Sequence, residues 1–136
     1  MCIRDRNIPC IVGERNSETQ DIFKGAAEKN FSTLLFSDEF CHCRWKNFDG
    51  FLTRFVLSDS FTQHQQVLET KLHGAYQAHN IALLYAISKT IEHFYQINYS
   101  QDAFKTSLLN VAEMTYFIGR WQQLSLIHIS EPTRPY

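Results

Sequence analysis

The apolar and polar positions in the first third of the chain predict a strand, a helix and a second strand. Residues 8–12 are mostly β-branched and apolar, as in a short buried strand. The run S-E-T-Q at residues 17–20 matches a capping box and predicts a helix over residues 18–29. Its predicted apolar face consists of Ile22, Phe23, Ala26 and Ala27. Residues 32–37 predict the next strand, so this part of the chain is typical of a layered α/β domain.

The middle of the chain has a weaker pattern. Residues 38–53 are rich in aromatic side chains without a clear period and are expected to be irregular, with a turn at Asp49 and Gly50. Residues 51–57 and 66–72 predict two strands that can pair in an antiparallel manner.

The period becomes helical after Tyr76 and predicts a long helix over residues 77–95. The predicted inner face contains Ile81, Leu84, Ile87, Ile91 and Phe94. Ser100 is a candidate cap for a further helix that should end near Glu113. The inner face of that helix is predicted from Phe104, Leu108 and Val111.

One short DNA segment, read in opposite orientations, can encode both ends of the chain. It encodes the sequence LSLIHISEPTR at residues 124–134, and the reverse complement of its first part reads Met1 to Asp5. This resembles the transposase adapter of sequencing libraries. Residues 1–6 and 124–136 are therefore interpreted as adapter-derived rather than native, which leaves residues 7–123 as the native segment.

Composition narrows the possible classes of function. The formal net charge of −1 gives no electrostatic reason to expect nucleic acid or an anionic membrane as a partner. No apolar run approaches the roughly 18 residues of a transmembrane helix. Cys10, Cys41 and Cys43 remain outside the adapter-like ends, and an odd number of thiols favours a reducing, cytoplasmic compartment over a disulfide framework.

Cys41, His42 and Cys43 together suggest a metal site. Zinc sites normally contain a second pair of ligands elsewhere in the chain, whereas His64 and His73 show no paired spacing. The preferred interpretation is an ordinary loop or strand, and no metal ligand is assigned.

The motif GAYQAHN at residues 74–80 precedes and opens the long helix. Gly74 permits an unusual backbone angle and the close approach of a ligand. Asn80 carries both a donor and an acceptor and can therefore pair with the edge of an adenine ring. An asparagine near a helix start is also a common cap, so both roles are open at this point.

A second motif, Gly119, Arg120, Trp121 and Gln122, lies near the end of the chain. The planar guanidinium of Arg120 suits phosphate oxygens, with Gly119 allowing a tight turn and Trp121 able to pack against it. The alternative is an ordinary solvated charge.

Together the two motifs resemble the nucleotide-binding elements in the later part of folylpolyglutamate synthase/dihydrofolate synthase, a branch of the Mur ligase family. Residues 7–14 are also similar to a strand of that family. The resemblance implies an α/β fold that forms part of a Mur-ligase-type central ATPase domain, a P-loop-like sheet with helices. Residues 7–115 would be its C-terminal half, and residues 116–123 would be a linker into a further domain.

The resemblance further implies an ATP-dependent ligase that joins L-glutamate to a pterin or folate carboxylate through an acyl phosphate, with ATP and Mg²⁺ required. Asn80 would contact adenine and Arg120 the phosphates, while no catalytic residue and no metal ligand would lie in this segment. No GxxxxGK[ST] run occurs in the chain, so the segment alone is expected to be inactive.

Two alternatives remain open from the sequence. The first is another Mur-type ligase, which adds an amino acid to a cell-wall precursor. The second is a small non-enzymatic α/β interaction module, in which Asn80 would be a helix cap and Arg120 a surface charge.

Overall fold

The computed structural model describes residues 8–115 and contains a two-stranded sheet, a three-stranded sheet and the helices that pack on them. Two strands, β1 (Cys10–Val12) and β2 (Leu34–Phe36), pair in parallel, with α1 (Gln20–Lys29) connecting them. The strand–helix–strand order predicted from the sequence is therefore confirmed. A one-turn helix, α2 (Ser37–Phe40), follows β2 directly.

The predicted capping box does not form at the start of α1. The N-cap residue is Thr19, whose side chain makes no capping hydrogen bond, and the backbone N–H of Glu18 donates instead to Asn16 Oδ1 at 2.9 Å. The side chain of Asn16, and not that of Ser17, accepts the backbone N–H of Glu18. The helix begins at Gln20, two residues later than predicted.

Three antiparallel strands follow in the order β3 (Cys41–Phe48), β4 (Thr53–Asp59) and β5 (Gln65–Thr70). The predicted pairing of the last two strands is confirmed. The expectation of irregular structure over residues 38–53 is wrong, because β3 occupies eight of these residues. A bulge between Trp45 and Asn47 shifts the register of this edge strand, and most of its outer half is exposed, so the usual alternation is lost.

Helix α3 (Gln77–Tyr95) packs across β3 and has the predicted bounds. Its buried face differs from the prediction, because Leu84, Ile91 and Phe94 are exposed while small residues such as Ala82 are buried. The buried residues of this helix are Ala78, Ile81, Ala82, Tyr85, Ala86 and Thr90. Four of them pack with Phe55, Leu57 and Leu68 of the sheet in the main hydrophobic core, namely Ala78, Ile81, Ala82 and Tyr85.

Two shorter helices complete the described part, α4 (Gln101–Leu109) and α5 (Val111–Thr115). Ser100 caps α4 as predicted, since its Oγ accepts a hydrogen bond from Ala103 N at 3.0 Å. The single helix predicted to end near Glu113 is interrupted at Asn110, the C-cap of α4. Between residues 8 and 115, no helix is both long and apolar enough to cross a membrane.

Candidate functional site

The segment before α3 turns sharply at Gly74. The φ angle of Gly74 is +109°, in the left-handed region that favours glycine. The ring of Tyr76 lies so close that a Cβ on Gly74 would come within 2.3 Å of the tyrosine Cε1. The prediction that Gly74 adopts an unusual backbone angle is confirmed, and the group that approaches it closely is the Tyr76 ring.

The first backbone N–H groups of α3 already have partners. The N–H groups of Gln77, Ala78 and His79 donate to the carbonyl oxygens of residues 74–76 at 3.1 to 3.2 Å. A helix start with free N–H groups would be suited to an anion. Here that donor set is occupied, so side chains carry the hydrogen-bonding capacity of this surface.

Asn80 lies in the first turn of α3 and its side chain is exposed. It does not cap the helix, since the N-cap residue is Tyr76. Its Nδ2 donates to Gln77 Oε1 at 2.9 Å, which orients the amide toward the helix start. Within residues 8–115, the Asn80 Oδ1 has no hydrogen-bond partner. The side chain therefore retains both a donor and an acceptor for a ligand edge.

Aromatic side chains from the β3–β4 hairpin extend toward this turn. The ring centroids of Phe48 and His73 are 5.0 Å apart in an edge-to-face arrangement. His73 directly precedes Gly74, and the Tyr76 ring lies against Gly74. Phe48 and Tyr76 remain 49% and 63% exposed, respectively.

A second polar cluster lies just beyond the carboxyl ends of the parallel strands, where α/β sheets often bind ligands. Arg15 follows β1 and forms two hydrogen bonds to the Asp38 carboxylate, at 2.9 and 3.2 Å, and one to Glu39. The guanidinium carbon also lies 4.0 Å from the centroid of the Phe36 ring. The hydrogen bond from Arg15 lowers the pKa of Asp38 below its ordinary value. These groups satisfy each other and connect the two strand ends.

Cys41 and Cys43 lie in β3, in agreement with the preferred interpretation as a strand. Burial raises the pKa of the Cys41 thiol to about 12 and that of the Cys43 thiol to about 11, so both stay protonated near neutral pH. Among residues 8–115, no group of three or more His, Cys, Asp or Glu side chains could hold a metal ion.

A buried carboxylate is the main feature that the sequence did not reveal. Asp59, at the end of β4, accepts hydrogen bonds from the N–H groups of Phe61 and Thr62, both at 2.8 Å, and from the hydroxyl of Tyr85. Burial by itself would raise the pKa of Asp59, but these hydrogen bonds outweigh it and lower the pKa. The carboxylate thus remains charged and fully used, and it links the β4–β5 turn to α3.

Arg120 lies outside the described residues, so its predicted proximity to the phosphates stays a prediction. The predicted boundary regions 1–6, 116–123 and 124–136 also lie outside them.

Comparison with known proteins indicates the type of fold. No family model matches the chain, and no curated protein matches it. A solved structure of a serine-to-alanine mutant of L. casei folylpolyglutamate synthase is similar, with a TM-score of 0.64 and 21% sequence identity. The chain shares the fold of the matching part of that enzyme. This confirms the predicted mixed α/β class, with the match covering 76% of this chain and 25% of that enzyme.

Proposed function

We propose that this chain is an internal part of an ATP-dependent ligase that adds L-glutamate to dihydropteroate or folate. The chain spans about a quarter of the length of the L. casei enzyme. In this proposal, residues 7–115 are the later half of the central ATP-binding domain and residues 116–123 enter a further domain. The adapter-like ends, 1–6 and 124–136, do not belong to the enzyme.

The observation that carries the proposal is the geometry of residues 74–80 within this fold. Gly74 has a positive φ, and Asn80 presents an exposed amide in the first turn of α3. These are the positions at which the sequence resembles the nucleotide-binding motif of the folylpolyglutamate synthase family. Fold and motif thus support the same function independently.

In the complete enzyme, the acceptor carboxylate would be phosphorylated by ATP, and the amino group of L-glutamate would displace the phosphate. Asn80 would position the adenine ring, and Arg120 would neutralise negative charge on the phosphates during transfer. Neither residue transfers a proton. Mg²⁺ would be held by residues upstream of this segment.

The first test is to sequence the source locus across both ends of residues 7–123 and to express the uninterrupted reading frame. The proposal expects a phosphate-binding loop upstream and a further domain downstream. It also expects ADP formation that depends on L-glutamate and on dihydropteroate or folate. Genuine start and stop codons around residues 7–123 would overturn the ligase assignment and favour the interaction module. Turnover only with a cell-wall precursor would favour the other Mur-type ligase.

Variants of the same longer enzyme test the two residues. Loss of one or two hydrogen bonds to adenine should raise the KM for ATP roughly 2- to 10-fold in Asn80→Ala. Arg120→Ala should lower ATP-dependent turnover. Asn98→Ala removes an exposed amide from the loop between α3 and α4 and serves as the matched control. Wild-type kinetics for both Asn80→Ala and Arg120→Ala would contradict the assigned roles.

A further inference from the structure

Three exposed aromatic side chains lie in, or in contact with, the segment that leads into α3. We define the aromatic patch as Phe48, His73 and Tyr76. None of these three residues is buried, and Tyr76 is 63% exposed although it directly precedes a helix that packs on the core. Exposed aromatic side chains that converge on one place are typical of binding surfaces.

The backbone fixes the position of the Tyr76 ring. Tyr76 has helical angles, with φ −62° and ψ −19°, and its ring lies against the backbone of Gly74. Any side chain at Gly74 would collide with this ring, since even a Cβ would be 2.3 Å from Cε1. Glycine at this position therefore both permits the turn and leaves room for the ring.

Tyr76 and Asn80 are four residues apart and lie on the same face of the helix. Side chains of a helix lean toward its N-terminus, so the Asn80 amide extends over the turn that contains Tyr76. The hydrogen bond from Asn80 to Gln77 agrees with this direction. A flat ligand whose edge pairs with Asn80 would then lie beside the exposed tyrosine ring.

We propose that Tyr76 stacks on the nucleobase whose edge Asn80 reads, with Phe48 and His73 extending the apolar surface beside it. The proposal rests on the proposed nucleotide-binding role of Asn80 and names Tyr76 as a further binding residue. A purine base combines a π-face with a polar edge, which matches a ring next to a free amide. Stacking of a base on an aromatic side chain changes affinity by about 5- to 150-fold.

The test is a titration of the ¹⁵N-labelled 136-residue chain with adenosine, followed by amide chemical shifts. Adenosine should shift the amides of His73, Tyr76 and Asn80. Tyr76→Ala should weaken binding by about 5- to 150-fold, whereas Tyr76→Phe should bind like the wild type. Tyr95→Ala removes an equally exposed tyrosine from the far end of α3 and should have no effect.

A second variant tests whether the position of the Tyr76 ring matters, and not only its presence. Gly74→Ala keeps the tyrosine but must displace its ring, so adenosine binding should weaken as in Tyr76→Ala. Thermal unfolding of each variant verifies that it is folded. Unchanged binding by folded Tyr76→Ala would overturn the stacking role. If Asn80→Ala still weakened binding in that case, the proposed function would survive.

Two further outcomes would also overturn the proposal. Equal amide shifts with ribose 5-phosphate would indicate a site for the anion rather than the base. A complete absence of shifts with millimolar adenosine would mean that the patch does not bind a base. The proposed ligase function would still be decided separately, by turnover of the longer enzyme.

Discussion

The parallel and antiparallel parts of this molecule differ sharply in how well they bury their own apolar residues. Phe55, Leu57 and Leu68 of the antiparallel sheet are fully buried beneath α3. In the parallel part, Ile22 and Phe23 of α1 are 70% and 39% exposed. The antiparallel sheet and α3 therefore hold the main core, whereas α1 buries only Ala27 and β2 only Phe36.

An open apolar groove beside β1 also shows that the parallel part leaves apolar surface uncovered. It has a volume of about 290 Å³ and lies between β1 and the second half of α3. The lining residues are Ile8, Pro9, Ile11, Ile87, Thr90, Ile91 and Tyr95. In the proposed enzyme, this apolar surface would be covered by the rest of the central domain.

The largest expected effect is a direct comparison of the two parts. Phe55→Ala should lower the free energy of unfolding by about 3–5 kcal/mol, because it leaves a cavity in the core. Ile22→Ala should change it by less than about 0.5 kcal/mol. Urea unfolding of the 136-residue chain measures both values. If Phe55→Ala fails to fold, Phe55→Leu should lose less than about 1.5 kcal/mol. An equal cost for Ile22→Ala would break the comparison.

The next effect concerns the buried carboxylate of the antiparallel part. Tyr85→Phe removes one donor from Asp59 and should cost about 1–3 kcal/mol at neutral pH. Because the pKa of Asp59 is lowered in the folded state, its contribution is complete above the unfolded pKa of about 4. That contribution is lost as the pH falls through the lower folded pKa.

The pH dependence of stability can therefore identify the group. The stability of the wild type should fall more steeply below about pH 4 than that of Asp59→Asn, which does not titrate there. Urea midpoints measured from pH 7 to pH 2 provide the comparison. Asp38→Asn tests the same relation at an exposed carboxylate whose pKa is also lowered, so this variant should also lose less stability in acid than the wild type. Identical acid slopes for the wild type and Asp59→Asn would contradict the assignment.

Two buried threonines of the antiparallel sheet differ in whether their hydroxyl groups have a hydrogen-bond partner. Thr53 and Thr70 pair across β4 and β5 and are 1% and 0% exposed. Thr70 Oγ1 accepts a hydrogen bond from Leu72 N at 3.1 Å, whereas Thr53 Oγ1 has no partner among the described residues. Thr70→Val should cost about 1 kcal/mol, while Thr53→Val should be neutral or slightly stabilising. Thermal unfolding distinguishes them, and a larger loss for Thr53→Val would reveal a partner for its hydroxyl.

The bounds of α3 could be predicted because they depend on local signals. The helical period starts shortly after Gly74, which has a positive φ. Gln96 ends the helix in the left-handed region. Its inner face was less predictable. Ala78 and Ala82 have low hydrophobicity, so a sequence pattern gives them little weight, yet both pack in the core between α3 and the sheet.

In the candidate site, too, features that depend on neighbouring residues were predictable and features that depend on distant residues were not. The exposure of Asn80 and the turn at Gly74 follow from neighbouring residues, so the sequence was sufficient to predict them. The Asp59–Tyr85 hydrogen bond joins residues 26 positions apart, and no local pattern identifies such a pair. The Phe48–His73 contact was similarly hidden, because it depends on β3 and on its bulge.

The smallest expected effect compares the helix starts of the two parts. Ser100 Oγ accepts a hydrogen bond from Ala103 N, so Ser100→Ala should lower the free energy of unfolding by about 1 kcal/mol. Ser17 is the serine that the sequence pattern favours at the start of α1, but the N-cap position there belongs to Thr19. Ser17→Ala should therefore change stability by less than about 0.5 kcal/mol. Because both serines are exposed and both changes are identical, the difference in unfolding free energy isolates the cap hydrogen bond. A cost for Ser17→Ala as large as that for Ser100→Ala would mean that the capping box forms in solution and that α1 begins earlier.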